Sequence, residues 1–281
     1  MSSYEFIQAA LAGQQRSLGQ KAAGTAMSAG RWAGRALRRS ALVIALLALW
    51  EIAPHAGLAD PAFLPPLSEV LQAGLDLAAN GQLYEHLGSS LFRVFTGFAI
   101  SLVLFIPLGL AIGWYQRLGD TLNQLIEVLR NTAPLAILPV FILLLGIGET
   151  SKISMVIYSC AWPLLLNTAS AVRQVDPLLV KSARTMGTTP LQLFQKVILP
   201  SSLPSIFVGV RLASAAAILV LIASEMVGAK AGLGYLVIYS QYSFLIPQMY
   251  FGIIAITTIG LTMNAVLQGV EKRFTRWKPA A

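Results

Sequence analysis

The chain has 281 residues, of which 56% are hydrophobic and only 11% are charged. Soluble domains carry about 25% charged residues, so this composition excludes an ordinary soluble domain and indicates a membrane protein. The net charge of +8 does not indicate a nucleic-acid partner, because the basic residues lie between apolar runs and no aromatic–basic stripe accompanies them.

Six apolar runs are long enough to cross a bilayer, which takes about 20 helical residues. They lie at roughly 41–58, 89–114, 124–147, 153–172, 205–227 and 249–269. Pro134 and Pro139 interrupt the third run, which predicts a kinked helix packed inside a bundle. We therefore expect an all-α membrane protein, with an N-terminal arm at 1–40, a membrane domain at 41–270 and a C-terminal tail at 271–281.

Lys and Arg residues are divided unequally between the two sides of these runs. Seventeen lie on the side of both termini, and three lie on the other side, namely Arg93, Lys152 and Lys230. Because cytoplasmic loops are enriched in Lys and Arg, both termini and the loop at about 176–204 are predicted to face the cytoplasm.

That loop contains the most distinctive stretch of the chain, KSARTMGTTPLQLFQKVILP at 181–200. Small residues at Ser182 and Ala183 are expected to start a short helix, Gly187 to break it, and Thr189-Pro190 to start a second helix. The predicted structure is a rigid, bent pair of short helices within 181–200, called the elbow below, to which a partner protein could bind. The alternative is an ordinary polar loop.

The second short helix has an apolar edge, because Leu191, Phe194 and Val197 recur every three residues. Leu199-Pro200 is expected to end this helix before the next span. The residues predicted to couple the elbow to a partner are Ser182, Ala183, Gly187, Leu191, Phe194, Val197, Leu199 and Pro200.

The elbow resembles the cytoplasmic coupling loop of the membrane subunits of ABC importers. That loop has the pattern Glu-Ala-Ala, three residues, Gly, nine residues, Ile-x-Leu-Pro, and Gly187 and VILP at 197–200 keep the spacing. Lys181 stands where the family often has Glu, and Ser182 replaces the first Ala. The stretches resembling the nitrate, taurine and alkanesulfonate branch are FLPPLSEVL (63–71), HLGSSLFRVFTGF (86–98), GIGETSKI (146–153) and ASEMVGAKAGLGYLV (223–237).

This resemblance implies a type I ABC importer permease bundle of about six transmembrane helices in the bacterial inner membrane. It implies a second permease copy, with a homodimer as the simpler arrangement, two ABC ATPase subunits and a periplasmic substrate-binding protein. The sequence has no Gly-x-x-x-x-Gly-Lys-Ser/Thr phosphate loop, so the chain is expected to be a translocation subunit without enzymatic activity or cofactor. The implied cargo is a small anion, which is either taurine or another aliphatic sulfonate, or an anion that resembles nitrate. Bicarbonate, cyanate or a pyrimidine precursor is the alternative.

Two charged residues lie within the predicted spans, Arg93 near the outer end of the second and Glu225 near the outer end of the fifth. Charges inside a membrane are costly and usually face a bundle interior or an aqueous path. Arg93 and Glu225 are therefore candidates for a paired outer gate. Alternatively, Arg93 meets a passing anion or extends to the lipid headgroups.

Trp162 and Asn167 in the fourth span are candidate pathway residues, together with Ser214, Ser224 and Asn264. For all of these, hydrogen bonding between helices is the favoured interpretation. His55 and His86 have no second ligand at metal spacing, so no metal site is expected.

Two other classes of function compete with the importer subunit. An autonomous secondary transporter would be expected to show internal repeats and carboxylates at mid-membrane, and the sequence shows no convincing repeat. An intramembrane enzyme would need a catalytic cluster inside the spans, and none is visible.

Overall fold

The computed structural model describes residues 41–275, and every regular element in that range is a helix. The predicted arm at 1–40 and the last six residues of the predicted tail lie outside this range. The helices are α1 (Ala41–His55), α2 (Leu67–Ala79), α3 (Gln82–Trp114), α4 (Gln116–Arg130), α5 (Pro134–Leu145), α6 (Glu149–Arg173), α7 (Pro177–Thr185), α8 (Pro190–Leu193), α9 (Leu199–Met226), α10 (Leu233–Tyr242) and α11 (Ile246–Phe274). A π-helical segment, Phe194–Ile198, joins α8 to α9.

Helix α1 and the segment that follows it, up to Ser68, belong to one compact unit. The indole N–H of Trp50 donates to the Pro65 carbonyl over 3.0 Å. The backbone N–H and hydroxyl of Ser68 donate to the Glu51 carboxylate over 2.9 and 2.8 Å. These bonds fold the segment after α1 back onto the helix.

The second unit, from Glu69 onward, is built around the long helices α3, α6 and α9. Glycines let their backbones approach closely. A Cβ at Gly97 of α3 would lie 2.7 Å from Val156 of α6, and one at Gly209 of α9 would lie 2.7 Å from Asn167 of α6. Helix α6 therefore packs against both neighbours through small residues, as is common between membrane helices. The buried residues shared by these helices include Val94, Phe98, Val156, Cys160, Leu164, Ala213 and Ala217.

The predicted third span, 124–147, is not one helix. Helices α4 and α5 are bent by 92° relative to each other at a short break. Pro134 is the first residue of α5, where its missing N–H removes no intrahelical bond, so the chain breaks before this proline. The prediction of a single kinked helix is therefore wrong.

Four of the described helices are long and apolar enough to span a bilayer, namely α3, α6, the continuous Pro190–Met226 and α11. The bent pair α4–α5 raises the number to five if it forms one broken span. The all-α membrane class is confirmed. Helix α1, predicted as the first of six spans, is shorter than these, because its 15 residues reach about 22 Å and a bilayer core is about 30 Å thick.

Candidate functional site

The elbow begins earlier than predicted. Helix α7 starts at Pro177, because the Asp176 carboxylate accepts the Leu178 N–H over 2.8 Å and proline suits the first helical position. Ser182 and Ala183 lie inside this helix, so the prediction that they start it is wrong.

The turn of the elbow is fixed at Gly187. Its φ of +75° lies in the left-handed region, which favours glycine, whereas an added Cβ would meet no atom within 4 Å. The backbone angle therefore requires glycine here, and crowding does not. The Thr188 hydroxyl donates to the Ala183 carbonyl over 2.8 Å and closes the turn.

The second half of the elbow is capped as the sequence predicts. Thr189 accepts the Gln192 N–H over 3.3 Å, and the Gln192 side chain accepts the Thr189 N–H over 3.1 Å, which forms a capping box. The expected stop at Leu199-Pro200 is wrong, since the helix is continuous from Pro190 to Met226. The wide turn of the π-helical segment just before Pro200 accommodates the proline without breaking the helix.

One face of the elbow packs against the membrane helices. Ala183 (8% exposed), Leu193 and Ile198 are buried with Val172 at the end of α6. The Phe194 ring meets Trp114 of α3 edge to face, with 5.4 Å between the ring centroids. The elbow is therefore fastened to α3 and α6 as well as to α9.

The other face of the elbow is exposed. Among the predicted coupling residues, Ser182, Gly187 and Leu191 are exposed, whereas Ala183 is buried, and Phe194, Val197, Leu199 and Pro200 are half-buried. Met186, whose side chain is 81% exposed, was missed by the sequence analysis. An apolar residue next to the glycine of a polar turn is the signal that could have found it.

A cluster of charged side chains lies at the opposite end of α6 and α9 from the elbow. Arg93 on α3 is 3% exposed, Glu225 on α9 is fully buried, and Arg93 Nη1 donates to Glu225 Oε1 over 2.7 Å. The same nitrogen donates to the Ala231 carbonyl over 2.7 Å. The ion pair considered from the sequence is therefore present, and its role in gating stays a prediction.

Glu149, the first residue of α6, is the third member of the charge cluster. Its carboxylate receives Arg93 Nε over 2.5 Å and Arg93 Nη2 over 2.6 Å, a bidentate arrangement. The sequence analysis did not connect Glu149 with Arg93. The signal was an acidic residue at the outer end of a predicted span, but 56 residues separate it from Arg93.

The Glu225 carboxylate holds the start of α10, and Arg93 and His86 hold the loop before it. The Gly234 N–H donates to Glu225 Oε2 over 2.9 Å, and the Ser90 hydroxyl donates to Glu225 Oε1 over 2.8 Å. The Gly232 N–H donates to His86 Nδ1 over 3.2 Å. Glu225 thus ties α3, α9 and α10 together, and Glu149 adds α6 through Arg93.

The candidate pathway residues Trp162 and Asn167 line an open cavity of about 540 Å³ beside Arg130 and Asn131 at the break between α4 and α5. The Asn167 amide donates to the Pro163 carbonyl within its own helix over 2.8 Å. The Trp162 indole N–H has no hydrogen-bond partner among the described residues.

The hydrogen bonds of Ser214 and Ser224 also go to carbonyls of their own helix. Asn264 is exposed. The prediction that these polar residues bond across helices is therefore wrong for Asn167, Ser214 and Ser224.

Comparison with known families decides what kind of protein has this architecture. Residues 105–277, which include the elbow, match the family described as "Binding-protein-dependent transport system inner membrane component". The chain belongs to this family. It is therefore the non-catalytic permease subunit of an ABC importer and a multi-pass inner-membrane protein, and such a system implies a separate ATPase and a binding protein.

Two relatives of this permease come from Escherichia coli (strain K12). One, named as an aliphatic sulfonates transport permease, is 36% identical over 85% of this chain and 91% of its own length. The other, the taurine transport system permease, is 32% identical over 83% of this chain and 86% of its own length.

The fold of the permease also matches a solved structure. An inward-facing structure of the MetNI methionine ABC transporter superposes with a TM-score of 0.56 at 20% identity, covering 71% of this chain and 97% of that one. The likeness confirms the expected permease bundle.

Proposed function

We propose that this permease moves a small organic sulfonate of the taurine class from a periplasmic binding protein into the cytoplasm. The observation that carries the proposal is the similarity to a sulfonate permease and a taurine permease over more than four fifths of the chain. The alternative cargoes are a different small anion, namely nitrate, bicarbonate or cyanate, and a pyrimidine precursor.

In this proposal the elbow faces the cytoplasm and receives the motion of the ATPase. Support comes from the bias of Lys and Arg toward the elbow side and from the exposed side chains of Ser182, Met186 and Leu191. The coupling residues are those predicted above. The buried Ala183 fixes the elbow to the bundle, and the exposed residues contact the ATPase.

Motion at the elbow is passed to the charge cluster through two helices. Helix α6 has Glu149 as its first residue and ends next to the elbow, whereas α9 follows the elbow and carries Glu225 near its end. A rigid-body rotation of either helix relative to α3 moves one of the two carboxylates that hold Arg93. We infer that the cluster is the outer gate and that it opens and closes with the nucleotide state of the ATPase.

Two copies of the permease are proposed to form the pathway, each bound to one ATPase subunit. The described residues of one chain leave the cavity beside Trp162 and Asn167 open on one side, and a second copy would close it. The homodimer is the simplest arrangement that supplies this wall.

The test is reconstituted transport. The permease is co-purified with its ATPase and placed in proteoliposomes, and uptake of labelled taurine is measured with the binding protein outside and ATP inside. Uptake that requires both ATP and the binding protein is expected. Uptake driven by an ion gradient without ATP would favour an autonomous secondary transporter. If labelled nitrate is taken up in the same assay and taurine is not, the sulfonate assignment is removed.

A further inference from the structure

The two edges of the Arg93 guanidinium lie in different surroundings. Nη1 is held by Glu225, which is fully buried, and by the Ala231 carbonyl. Nε and Nη2 point along one edge and are covered by Glu149, whose side chain is 54% exposed. One edge of the cation is thus fixed in the protein interior, and the other is covered by a carboxylate that water reaches.

Glu149 can turn its side chain into the solvent, because that side chain is 54% exposed. It follows Gly146, whose φ is +80°, and Gly148, whose backbone is extended. Within residues 41–275, Arg93 supplies the hydrogen bonds to the Glu149 carboxylate. A change of the Glu149 rotamer would therefore uncover the paired N–H groups of Arg93 and break no other side-chain hydrogen bond of Glu149, while Ser151 and Lys152 keep the first turn of α6 buried.

The charges around Arg93 favour replacement of Glu149 by one negative charge. Lys152 is 4% exposed, and its Nζ donates to the Gly148 carbonyl over 3.1 Å. When Glu149 leaves, the buried cations Arg93 and Lys152 face one carboxylate, Glu225. A monovalent anion restores neutrality, and burying an unbalanced charge is costly.

We propose that the Nε and Nη2 edge of Arg93 is a binding site for a monovalent oxyanion and that Glu149 occupies this site when the anion is absent. The arriving sulfonate or carboxylate group displaces Glu149 and accepts both N–H bonds, because a planar guanidinium matches two acceptor oxygens of one group. Glu225 keeps Arg93 in place throughout the exchange. Displacement of Glu149 removes the ion pair that joins the start of α6 to Arg93 on α3, so arrival of the cargo loosens the charge cluster.

This inference rests on the proposed function for the identity of the anion, and its test does not depend on transport. The full chain is placed in lipid nanodiscs without its ATPase. Binding of methanesulfonate is measured by calorimetry and by the shift of the thermal unfolding midpoint, with chloride replaced at constant ionic strength. Glu149→Gln should bind methanesulfonate about tenfold more tightly than the wild type, because the competing carboxylate is removed. Glu149→Asp, which keeps the charge but shortens its reach, should lie between the two.

The matched control is Glu271→Gln, which removes a carboxylate from another Arg–Glu pair between helices, with Arg211 at 3.0 Å. It should leave methanesulfonate binding unchanged. Arg93→Lys combined with Glu149→Gln should abolish the gain, because a lysine ammonium lacks the two parallel N–H groups of a guanidinium edge. Equal affinities in wild type, Glu149→Asp and Glu149→Gln would overturn the proposal and leave Glu149 with a structural role only. If the permease takes up sulfonate but shows no anion binding at Arg93, the proposed function remains and this inference fails. If it binds methanesulfonate at Arg93 but takes up no sulfonate, the sulfonate cargo is removed and the anion site remains.

Discussion

At the scale of single residues, the charge cluster is partly predictable from the sequence. The cost of a charge inside a membrane is enough to single out Arg93 and Glu225. Lys152 was assigned to the outer side and Glu149 was not singled out, because both lie next to a glycine turn and a sequence does not show which way such a turn folds. The contact of Gly232 and Gly234 with Glu225 was also beyond sequence reasoning, since it depends on the packing of α10 against α9.

Replacement of Gly234 by alanine tests that packing. A Cβ at this position would lie 2.4 Å from the Ile222 carbonyl oxygen and 2.8 Å from Glu225 Cβ. We expect Gly234→Ala to lower stability by about 1–3 kcal/mol, the usual cost of overpacking, seen as a lower thermal unfolding midpoint in detergent micelles. The control is Gly88→Ala on α3, also in a helix but with no atom within 4 Å of the added Cβ. Equal effects of the two substitutions would contradict the close packing around Glu225.

At the scale of elements, the two short helices of the elbow and the cap of the second one follow from local sequence, but the boundaries of the elbow do not. Thr189-Pro190 is a local capping signal, and the structure uses it as such. The start at Pro177 and the uninterrupted run through Pro200 were missed, because a preceding aspartate cap and a π-helical segment outweighed the small-residue and proline signals. The break between α4 and α5 was missed, although Arg130, Asn131 and Pro134 mark it, because the apolar residues on both sides were counted as one span.

The turn at Gly187 is expected to set how well ATP hydrolysis is coupled to uptake. Gly187→Ala places a Cβ at φ of +75°, which costs roughly 1–2 kcal/mol and should distort the elbow. We expect ATP-dependent uptake in proteoliposomes to fall several-fold, and Gly187→Asn to be milder, because asparagine tolerates the left-handed region.

Gly81→Ala is the matched control for Gly187→Ala. Gly81 has a φ of +80° and equally open space, but it precedes α3 at the opposite end of the bundle. It should cost similar stability and leave coupling unchanged. The same loss of coupling in both variants would mean that general destabilisation causes the defect.

Substitutions of Leu191 and Leu193 distinguish contact of the elbow with the ATPase from packing of the elbow against the bundle. Leu191 is 66% exposed and Leu193 is 3% exposed. Leu191→Ala should weaken co-purification of the ATPase and leave the unfolding midpoint unchanged. Leu193→Ala should lower stability by about 2–5 kcal/mol, as for other buried leucines. An unaltered ATPase complex with Leu191→Ala would remove this residue from the contact surface.

At the scale of the whole molecule, the membrane class and family followed from composition and a few motifs, because long apolar runs and a punctuated polar loop are local properties. Orientation in the membrane is the prediction that belongs here. Met186 lies shortly before the continuous helix Pro190–Met226 and Lys230 lies shortly after it, and Cys160 is fully buried.

Single cysteines at these two positions test the orientation. A membrane-impermeant maleimide added to right-side-out vesicles should label Lys230→Cys and leave Met186→Cys unlabelled until the vesicles are opened. The unsubstituted chain should show little background, since its own thiol is buried. The reverse labelling pattern would show that the elbow faces the outside, and it would exclude contact between the elbow and a cytoplasmic ATPase.

The unbroken helix from Pro190 to Met226 has a mechanical consequence. Its 37 residues reach about 55 Å at 1.5 Å per residue, far beyond the roughly 30 Å of a bilayer core. The surplus length carries one terminus of this helix into the aqueous phase. A tilt of about 5° around one terminus displaces the other by about 5 Å at this length, which is more than the length of a hydrogen bond. A small angular change on one side of the membrane is therefore enough to separate a bonded pair of groups on the far side.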